Sequence, residues 1–147
     1  MAVARKALGS AGALITPDGR VLLVRRAYPP HDWVMPGGNA DADESPVTTL
    51  TREIREETGL AATPTRLTGV YYHPDHRLGE FIHFVFEVPI PATPDVRIDP
   101  SEIAAWGLFA ADQLPEPMSP STRIRLADAL RPRDAFLPTD LPPASEP

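Results

Sequence analysis

The sequence predicts a layered α/β or α+β domain, and three observations lead to this prediction. Strand-like apolar segments are interleaved with two helix-like segments, an order that is typical of helices packed on a sheet. The chain has 147 residues, 42% of them hydrophobic, which is enough to bury the core of one domain. Prolines concentrate near the end, so we expect a domain over residues 1–131 and a proline-rich tail over 132–147.

The first part of the chain contains two strand candidates and a loop. Residues 7–26 divide into two apolar segments around a turn at 17–19, where Pro, Asp and Gly favour chain reversal. The second segment contains the continuous apolar run VLLV at 21–24, which predicts a strand covered on both faces. Residues 27–38, which are rich in Pro and Gly, are expected to form a loop.

A helix is expected between Ser45 and Gly59. Ser45 is a suitable N-cap, Pro46 suits the first helical position, and Gly59 is a natural end. A second helix is expected over STRIRLADAL at 121–130.

The remaining strands are expected at 63–72, 80–88 and 103–109, with a proline-rich loop at 89–101. The segment 80–88 alternates in polarity, so we expect one face to lie in the core and the other to be a mixed or functional face. The expected core face carries Ile82, Phe84, Phe86 and Val88, and the other face carries Phe81, His83, Val85 and Glu87.

Composition excludes several classes of function. The chain has no cysteine, so it has no disulfide and no thiol nucleophile. Its formal net charge is −6, and no basic cluster exceeds the pair Arg25-Arg26, so a polymeric nucleic acid is not an expected partner. No apolar run approaches the length of a membrane span, and we expect no membrane partner and a cytoplasmic location.

The first helix places three carboxylates in an arc. A helical wheel puts Glu57 at the edge of the buried stripe, with Glu53 and Glu56 following outward and Arg52 and Arg55 behind them. The buried stripe itself consists of Val47, Leu50 and Ile54.

This arc is an unfavourable place for three negative charges. Carboxylates three and four residues apart repel each other, the side nearest the core loses hydration, and the helix C-terminus disfavours anions. A hard divalent cation such as Mg²⁺ would relieve all three costs. Taken alone, however, the fragment EIREE is more often an ordinary solvated helix face.

The spacing over a longer segment favours the metal site. The segment from 38 to 60 matches a spaced pattern of glycines, glutamates and one arginine at every fixed position. From average residue usage, the probability of such a match by chance in a chain of this length is on the order of 10⁻⁸. The pattern resembles the box of the Nudix hydrolases, glycine-x5-Glu-x7-Arg-Glu-aliphatic-x-Glu-Glu-x-Gly-aliphatic. The matching residues are Gly38, Glu44, Arg52, Glu53, Ile54, Glu56, Glu57, Gly59 and Leu60.

The resemblance is complete over residues 36–60, and weaker similarity extends over about 8–131. It implies an α/β/α sandwich around a mixed β-sheet. It also implies Mg²⁺- or Mn²⁺-dependent cleavage of a diphosphate linkage in a nucleoside diphosphate joined to another moiety. A small nucleotide is therefore the expected partner, and a homodimer is a further candidate assembly because many relatives dimerise.

The resemblance also implies residue roles. Glu56 and Glu57 are the expected metal ligands, and the Gly38 carbonyl is expected to add a contact. Glu53 is expected to be either a ligand or the base that activates water. Together with Arg52, these three glutamates form the candidate catalytic set.

Arg52 and Glu44 are expected to pair and to hold the loop against the helix. Two positions of this loop depart from the pattern common in the family, since Asp41 stands at a usual Glu and Asp43 at a usual Gly. Asp43 either favours the local turn, which is the preferred interpretation, or adds a metal ligand. Neither change removes an expected ligand.

A further glutamate from a later loop is expected at the metal. The candidates are Glu80 and Glu102, and Glu102 is preferred because it resembles the acidic stretch that often precedes the Trp-containing strand of the family. The alternative is that Glu102 is an ordinary exposed loop residue.

Four residues are candidate substrate contacts, each with a structural alternative. Tyr71 or Tyr72 in YYHPDHR either stacks on a base or ends a strand, and His73 and His76 lack the helical spacing of a zinc site. Arginines are candidates because they pair with phosphate. Arg25 and its neighbour face opposite sides of a strand, so at most one of them is expected to reach a ligand. Trp33 either walls the site or packs in the fold. The selected contacts are Arg25, Trp33, Tyr72 and Arg77.

Two other functions compete with hydrolysis. A non-catalytic nucleotide-sensing module on the same fold is the main alternative, although such modules often lose carboxylates that this chain keeps. The isoprenoid diphosphate isomerases on this fold normally require a catalytic cysteine, which this chain lacks. Among hydrolase substrates, ADP-ribose or a nucleotide sugar is slightly preferred over nucleoside triphosphates.

Overall fold

The computed structural model describes residues 2–132, which form one mixed sheet and two helices. Residues 133–147, most of the expected tail, lie outside the described residues. Between residues 2 and 132, neither helix is long and apolar enough to cross a membrane. The elements are β1 (Ala7–Ile15), β2 (Val21–Arg26), β3 (Trp33–Val34), β4 (Gly37–Asn39), α1 (Pro46–Thr58), β5 (Arg66–His76), β6 (Gly79–Pro89), β7 (Ile103–Phe109) and α2 (Pro120–Ala129).

The sheet has the strand order β3-β2-β1-β6-β5, with β4 beside β1 and β7 beside β2. Strands β1 and β6 are parallel, and the other pairs are antiparallel. Helix α1 packs on β1 and β4, whereas α2 packs on β5 and β6. The two helices contribute to two separate hydrophobic clusters, which confirms the expected α/β/α sandwich.

The run at 21–24 lies in the centre of the fold. All four side chains are fully buried. Val21 and Leu23 pack in the same cluster as Leu126 of α2, whereas Leu22 and Val24 pack in the cluster of α1. The prediction of a strand covered on both faces is confirmed, since each face of β2 meets a different helix layer.

Strand β6 is buried on both faces, and its second face is mixed, as expected, since it carries His83 and Glu87 beside Phe81 and Val85. Phe86 and Val88 are buried on the expected core face. On the other face, however, Phe81 and Val85 are also fully buried, and Glu87 is only 7% exposed. This face is therefore as much a core face as the first, because α2 covers it.

Helix α1 begins and ends where the sequence predicts. Ser45 caps it by accepting a hydrogen bond from the Thr48 backbone N–H at 3.1 Å, and Gly59 ends it in the left-handed conformation at φ 74°. The predicted burial of Val47 is wrong, since this residue is 44% exposed. Thr49 is fully buried instead, and its hydroxyl donates to the Ser45 carbonyl at 3.0 Å.

The expected loop at 27–38 contains the short strand β3 and the start of β4. Gly37 explains how β4 can pair with β1. A Cβ at this position would lie 2.1 Å from the Ser10 carbonyl oxygen, so only glycine permits the approach. The glycines that suggest a loop in the sequence are thus required by a close strand pair.

Candidate active site

Strand β4 holds two carboxylates of α1 close together. The Gly37 backbone N–H donates to Glu57 Oε2 at 3.4 Å. The Glu53 carboxylate lies against Gly38, where an added Cβ would come within 2.5 Å of Glu53 Cδ. Gly38 therefore lets the backbone of β4 approach Glu53, and the backbone N–H of Gly37 holds Glu57.

The three carboxylates of α1 differ in burial in the order that the helical wheel predicts. Glu57 is buried, with 8% of the residue exposed. The side chains of Glu53 and Glu56 are 14% and 50% exposed. The arc therefore runs from the core edge into solvent, as expected from the helical period.

Arg52 connects this arc to the preceding loop. Its Nε and Nη2 donate to the two oxygens of Glu44, each at 2.8 Å, so the expected ion pair is present and bidentate. Its Nη1 donates to Glu53 at 2.8 Å and to Glu56 at 3.3 Å. Although the wheel places Arg52 behind the carboxylates, its long side chain reaches around to them.

The loop before α1 is fixed by short-range contacts. The Arg52 guanidinium beside Glu44 lowers the pKa of that carboxyl to about 2. Glu44 also accepts from the Asp41 backbone N–H at 2.8 Å. Asp43 adopts the left-handed conformation at φ 66°, which favours the turn interpretation of this position over metal ligation.

The acidic groups raise one another's proton affinity. Burial, and then the charge of Glu53, raise the pKa of Glu57 to about 9. Burial raises the pKa of Glu53, and the charge of Glu102 contributes to both shifts. These oxygen donors suit a divalent cation, which would offset the accumulated charge. Within residues 2–132, no three such side chains converge closely enough to hold an ion in this conformation, in which Arg52 engages Glu53 and Glu56.

The structure places the two candidate additional glutamates differently. Glu102 lines the same cavity as Glu57 and stands just before β7. Its backbone carbonyl accepts from the Ala27 N–H at 2.9 Å, which ties this turn to the end of β2. Glu80 instead pairs with Lys6 at 2.7 Å, and it does not line the cavity. The geometry therefore favours Glu102.

A cavity of about 440 Å³ lies beside the carboxylates. One wall is acidic, with Glu57 and Glu102, and the backbone of β4 contributes Gly37 and Gly38. The rest of the lining mixes polar and apolar residues with a group of basic and imidazole side chains from β2, the β5–β6 hairpin and α2. They include Arg26, His73, His76, Arg77, His83 and Arg125.

Three of the four predicted substrate contacts lie outside this cavity, beginning with Arg25 and Trp33. Arg25 is exposed and does not line the cavity, which is lined instead by Arg26, ion-paired with Asp32 at 2.6 Å. The structure thus does not support the assignment to Arg25, because the cavity lies on the opposite face of β2. Trp33 packs edge-on against Phe109 with ring centroids 5.2 Å apart, so the packing interpretation holds.

The loop YYHPDHR contributes its arginine but not its tyrosines. Arg77 lines the cavity, as expected. Tyr72 does not line it and donates instead to Glu80, so its assignment as a substrate contact is not supported. Tyr71 turns toward α2, where its hydroxyl donates to Asp128 at 2.6 Å.

Sequence reasoning missed the wall that α2 adds to the cavity. Arg125 lines it together with His73 and His83 of the β5–β6 hairpin. Arg125 lies three residues after Thr122 and next to Leu126, both of which are buried. The sequence places this arginine on the buried face of a helix. Because charged residues are rarely buried, this position indicates a functional role.

Comparison with known proteins agrees with this geometry. The NUDIX domain family model matches residues 6–129. A MutT-like protein from Streptomyces ambofaciens is 36% identical over 120 residues, which cover 82% of this chain and 74% of that protein. An ADP-ribose pyrophosphatase from Methanocaldococcus jannaschii is 37% identical over 76 residues, which cover 50% of this chain and 45% of that protein.

A solved structure supports the same conclusion. The crystal structure of a MutT NUDIX hydrolase from Burkholderia pseudomallei has a TM-score of 0.74 and 32% sequence identity. The alignment covers 85% of this chain and 98% of that one. Because sequence, fold and the arrangement of the box residues agree, the chain belongs to the NUDIX family and is a Nudix pyrophosphohydrolase.

Proposed function

We propose that this chain is a Mg²⁺- or Mn²⁺-dependent hydrolase that cleaves the diphosphate linkage of a small nucleotide. One observation carries the proposal. Glu53, Glu56 and Glu57 form a set of carboxylates on α1 that runs from the core edge into solvent; Glu53 and Glu57 lie against the glycines of β4, and Glu57 lines a 440 Å³ cavity. Such an oxygen-rich site, open on one side, leaves room for substrate phosphate oxygens.

Each box residue has a role in this proposal. Glu56 and Glu57 would hold the cation, with the Gly38 carbonyl and Glu102 as further ligands. When bound, the cation neutralises charge on the diphosphate and lowers the pKa of a bound water. Rotation of Glu56, whose side chain is half exposed, would bring its carboxylate from Arg52 toward the cavity.

Glu53 is the proposed proton acceptor. Hydrolysis joins the oxygen of one water to a phosphorus atom and breaks the bond from that phosphorus to the bridging oxygen. The water proton passes to the Glu53 carboxylate, whose pKa is raised by burial and which therefore binds a proton more readily than an exposed carboxylate. Arg52 positions this carboxylate through its 2.8 Å contact.

ADP-ribose and nucleotide sugars are the first substrates to test. The support is the relative from Methanocaldococcus jannaschii that is named an ADP-ribose pyrophosphatase. Nucleoside triphosphates and dinucleoside polyphosphates form the comparison set. A homodimer stays a prediction that sedimentation analysis would test.

The test is a product-analysis screen of these four substrate groups with Mg²⁺ or Mn²⁺. We expect release of a nucleoside monophosphate from at least one group, and loss of that product when the metal is removed. Tight binding of one nucleotide with no product from any of them would contradict the proposal and favour a sensing module.

A further inference from the structure

The part of the cavity contributed by α2 and the β5–β6 hairpin has a chemistry of its own. We use the name basic wall for His73, His83 and Arg125, which all line the cavity. None of them belongs to the box that carries the carboxylates. Metal binding at α1 therefore does not account for them.

Arg125 is a largely buried cation that forms no ion pair within residues 2–132. Its Nε donates to the Ser121 carbonyl at 3.2 Å and its Nη2 to Thr122 Oγ1 at 3.4 Å, which are contacts within its own helix. Along residues 2–132, no carboxylate lies within ion-pair distance of its guanidinium. Burial lowers the pKa of Arg125, which reports the cost of holding this charge away from water.

Each of the two histidines of the basic wall has a ring nitrogen that lacks a hydrogen-bond partner within residues 2–132. Within the described part of the chain, His73 Nε2 and His83 Nδ1 are buried and have no hydrogen-bond partner. Their ring centroids lie 5.2 Å apart. Burial, and then the charge of Arg125, lower the pKa of both rings, so they are neutral at pH 7. Buried polar atoms that lack a partner indicate a missing ligand or water.

An anionic ligand explains these features together, and a cation does not. Arg125 repels a metal ion, and no three groups in residues 2–132 converge on one. Acceptor oxygens of a phosphate would instead pair with the guanidinium and accept from imidazole N–H groups.

We propose that His73, His83 and Arg125 form a second anion subsite, which binds a phosphate group that the substrate carries in addition to its scissile diphosphate. This inference rests on the proposed function and narrows its substrate class. The additional phosphate belongs either to a longer phosphate chain or to the moiety beyond the diphosphate. Nucleotides of this kind should be favoured over analogues with the diphosphate alone.

The first test measures binding without turnover. Calorimetry with inorganic tripolyphosphate in metal-depleted buffer compares wild type with Arg125→Met, which keeps the length of the side chain and removes its charge. Arg123→Met is the matched control, because Arg123 lies on the same helix and pairs with Glu116 at the surface. We expect about tenfold weaker binding for Arg125→Met, as for loss of a charged hydrogen bond, and less than a twofold change for the control.

A histidine variant tests the rest of the subsite. His83→Phe keeps the ring that packs on Phe81 and removes the unpartnered nitrogen. It should also weaken tripolyphosphate binding several-fold. Wild-type binding that is undetectable, or that is unchanged in both Arg125→Met and His83→Phe, would overturn the subsite.

The second test separates the additional phosphate from the scissile pair. With Mg²⁺, KM and kcat are measured for ADP against ATP, and for ADP-ribose against its 2′-phosphate. In a pair whose members are hydrolysed, Arg125→Met should raise KM about tenfold for the substrate with the additional phosphate. The KM of the other substrate, and kcat for both substrates, should change less than threefold. An equal effect on both members would overturn the assignment.

These arms distinguish failure of the subsite from failure of the proposed function. If no nucleotide is hydrolysed, the proposed function fails while tripolyphosphate binding still decides the subsite. If nucleotides are hydrolysed and binding does not depend on Arg125, only the subsite fails. Arg125→Met should unfold no more easily than wild type, because it removes a buried charge that has no acidic partner within residues 2–132.

Discussion

The carboxylate of Glu53 lies directly against the Cα atom of Gly38. A Cβ added at Gly38 would come within 2.5 Å of both Cδ and Oε1 of Glu53. A real Cβ does not tolerate that distance, so either the side chain or strand β4 would have to move. This glycine is therefore needed for the position of the proposed proton acceptor.

We predict that Gly38→Ala lowers kcat about a hundredfold, since a displacement of about 1 Å in a reacting group costs that much. Thermal unfolding should show that the fold is kept. The effect should vanish in a Glu53→Gln background, because the glycine acts through that carboxylate. Equal losses from Gly38→Ala with and without Glu53 would show that the glycine acts by another route.

Asp43 provides a test of the turn before α1. Its φ of 66° suits glycine, and Asp tolerates it better than most residues. Asp43→Gly should change the free energy of unfolding by less than about 0.5 kcal/mol, whereas Asp43→Ala should lower it by about 1 kcal/mol. Chemical denaturation measures both. Weaker Mg²⁺ binding by Asp43→Gly would support the interpretation of Asp43 as a metal ligand instead of a turn residue.

The burial of His83 predicts a contribution to acid sensitivity. Burial first, and then the charges of Arg125, His73 and His76, lower the pKa of His83 from 6.5 to about 3. Below pH 6.5 the unfolded chain binds a proton that the folded chain does not. This residue therefore destabilises the fold as pH falls from about 6.5 toward 3, by at most about 1.4 kcal/mol per pH unit.

Denaturation at pH 7.0 and pH 5.0 checks this contribution. His83→Phe should lose less stability than wild type between these two values, because it has no group to protonate. His31→Phe is a suitable control, since His31 is exposed. Identical losses in wild type and His83→Phe would show that His83 does not contribute in this range.

The sequence predicts the acidic half of the site well, for a local reason. Glu53, Glu56 and Glu57 lie on one helix, whose period fixes their order of burial once the buried stripe is known. The pairing of Glu44 with Arg52, which the resemblance to the Nudix box implies, joins the preceding loop to the helix over eight residues. In the first turn the wheel is wrong, because Val47 is 44% exposed and Thr49, on nearly the opposite side of the helix, is fully buried.

The basic half depends on contacts that the sequence alone does not reveal. Arg25 and Arg26 face opposite sides of β2, and only the fold shows which side carries the cavity. The register of β2 against β7 also shifts between these two residues. Arg125 and His73 line the same cavity although about fifty residues of chain separate them. No short sequence motif predicts that residues so far apart in the chain lie together. The position of Arg125 on the buried face of α2 is the one local signal.

The most direct test of the central claim measures metal-dependent turnover in Glu57→Gln and Glu80→Gln. Glu57 lies buried at the proposed metal site, whereas Glu80 is exposed and pairs with Lys6. On the best substrate of the screen with Mg²⁺, Glu57→Gln should lose at least a hundredfold in kcat with its fold intact, and Glu80→Gln should change less than threefold. Full activity in Glu57→Gln would contradict the account.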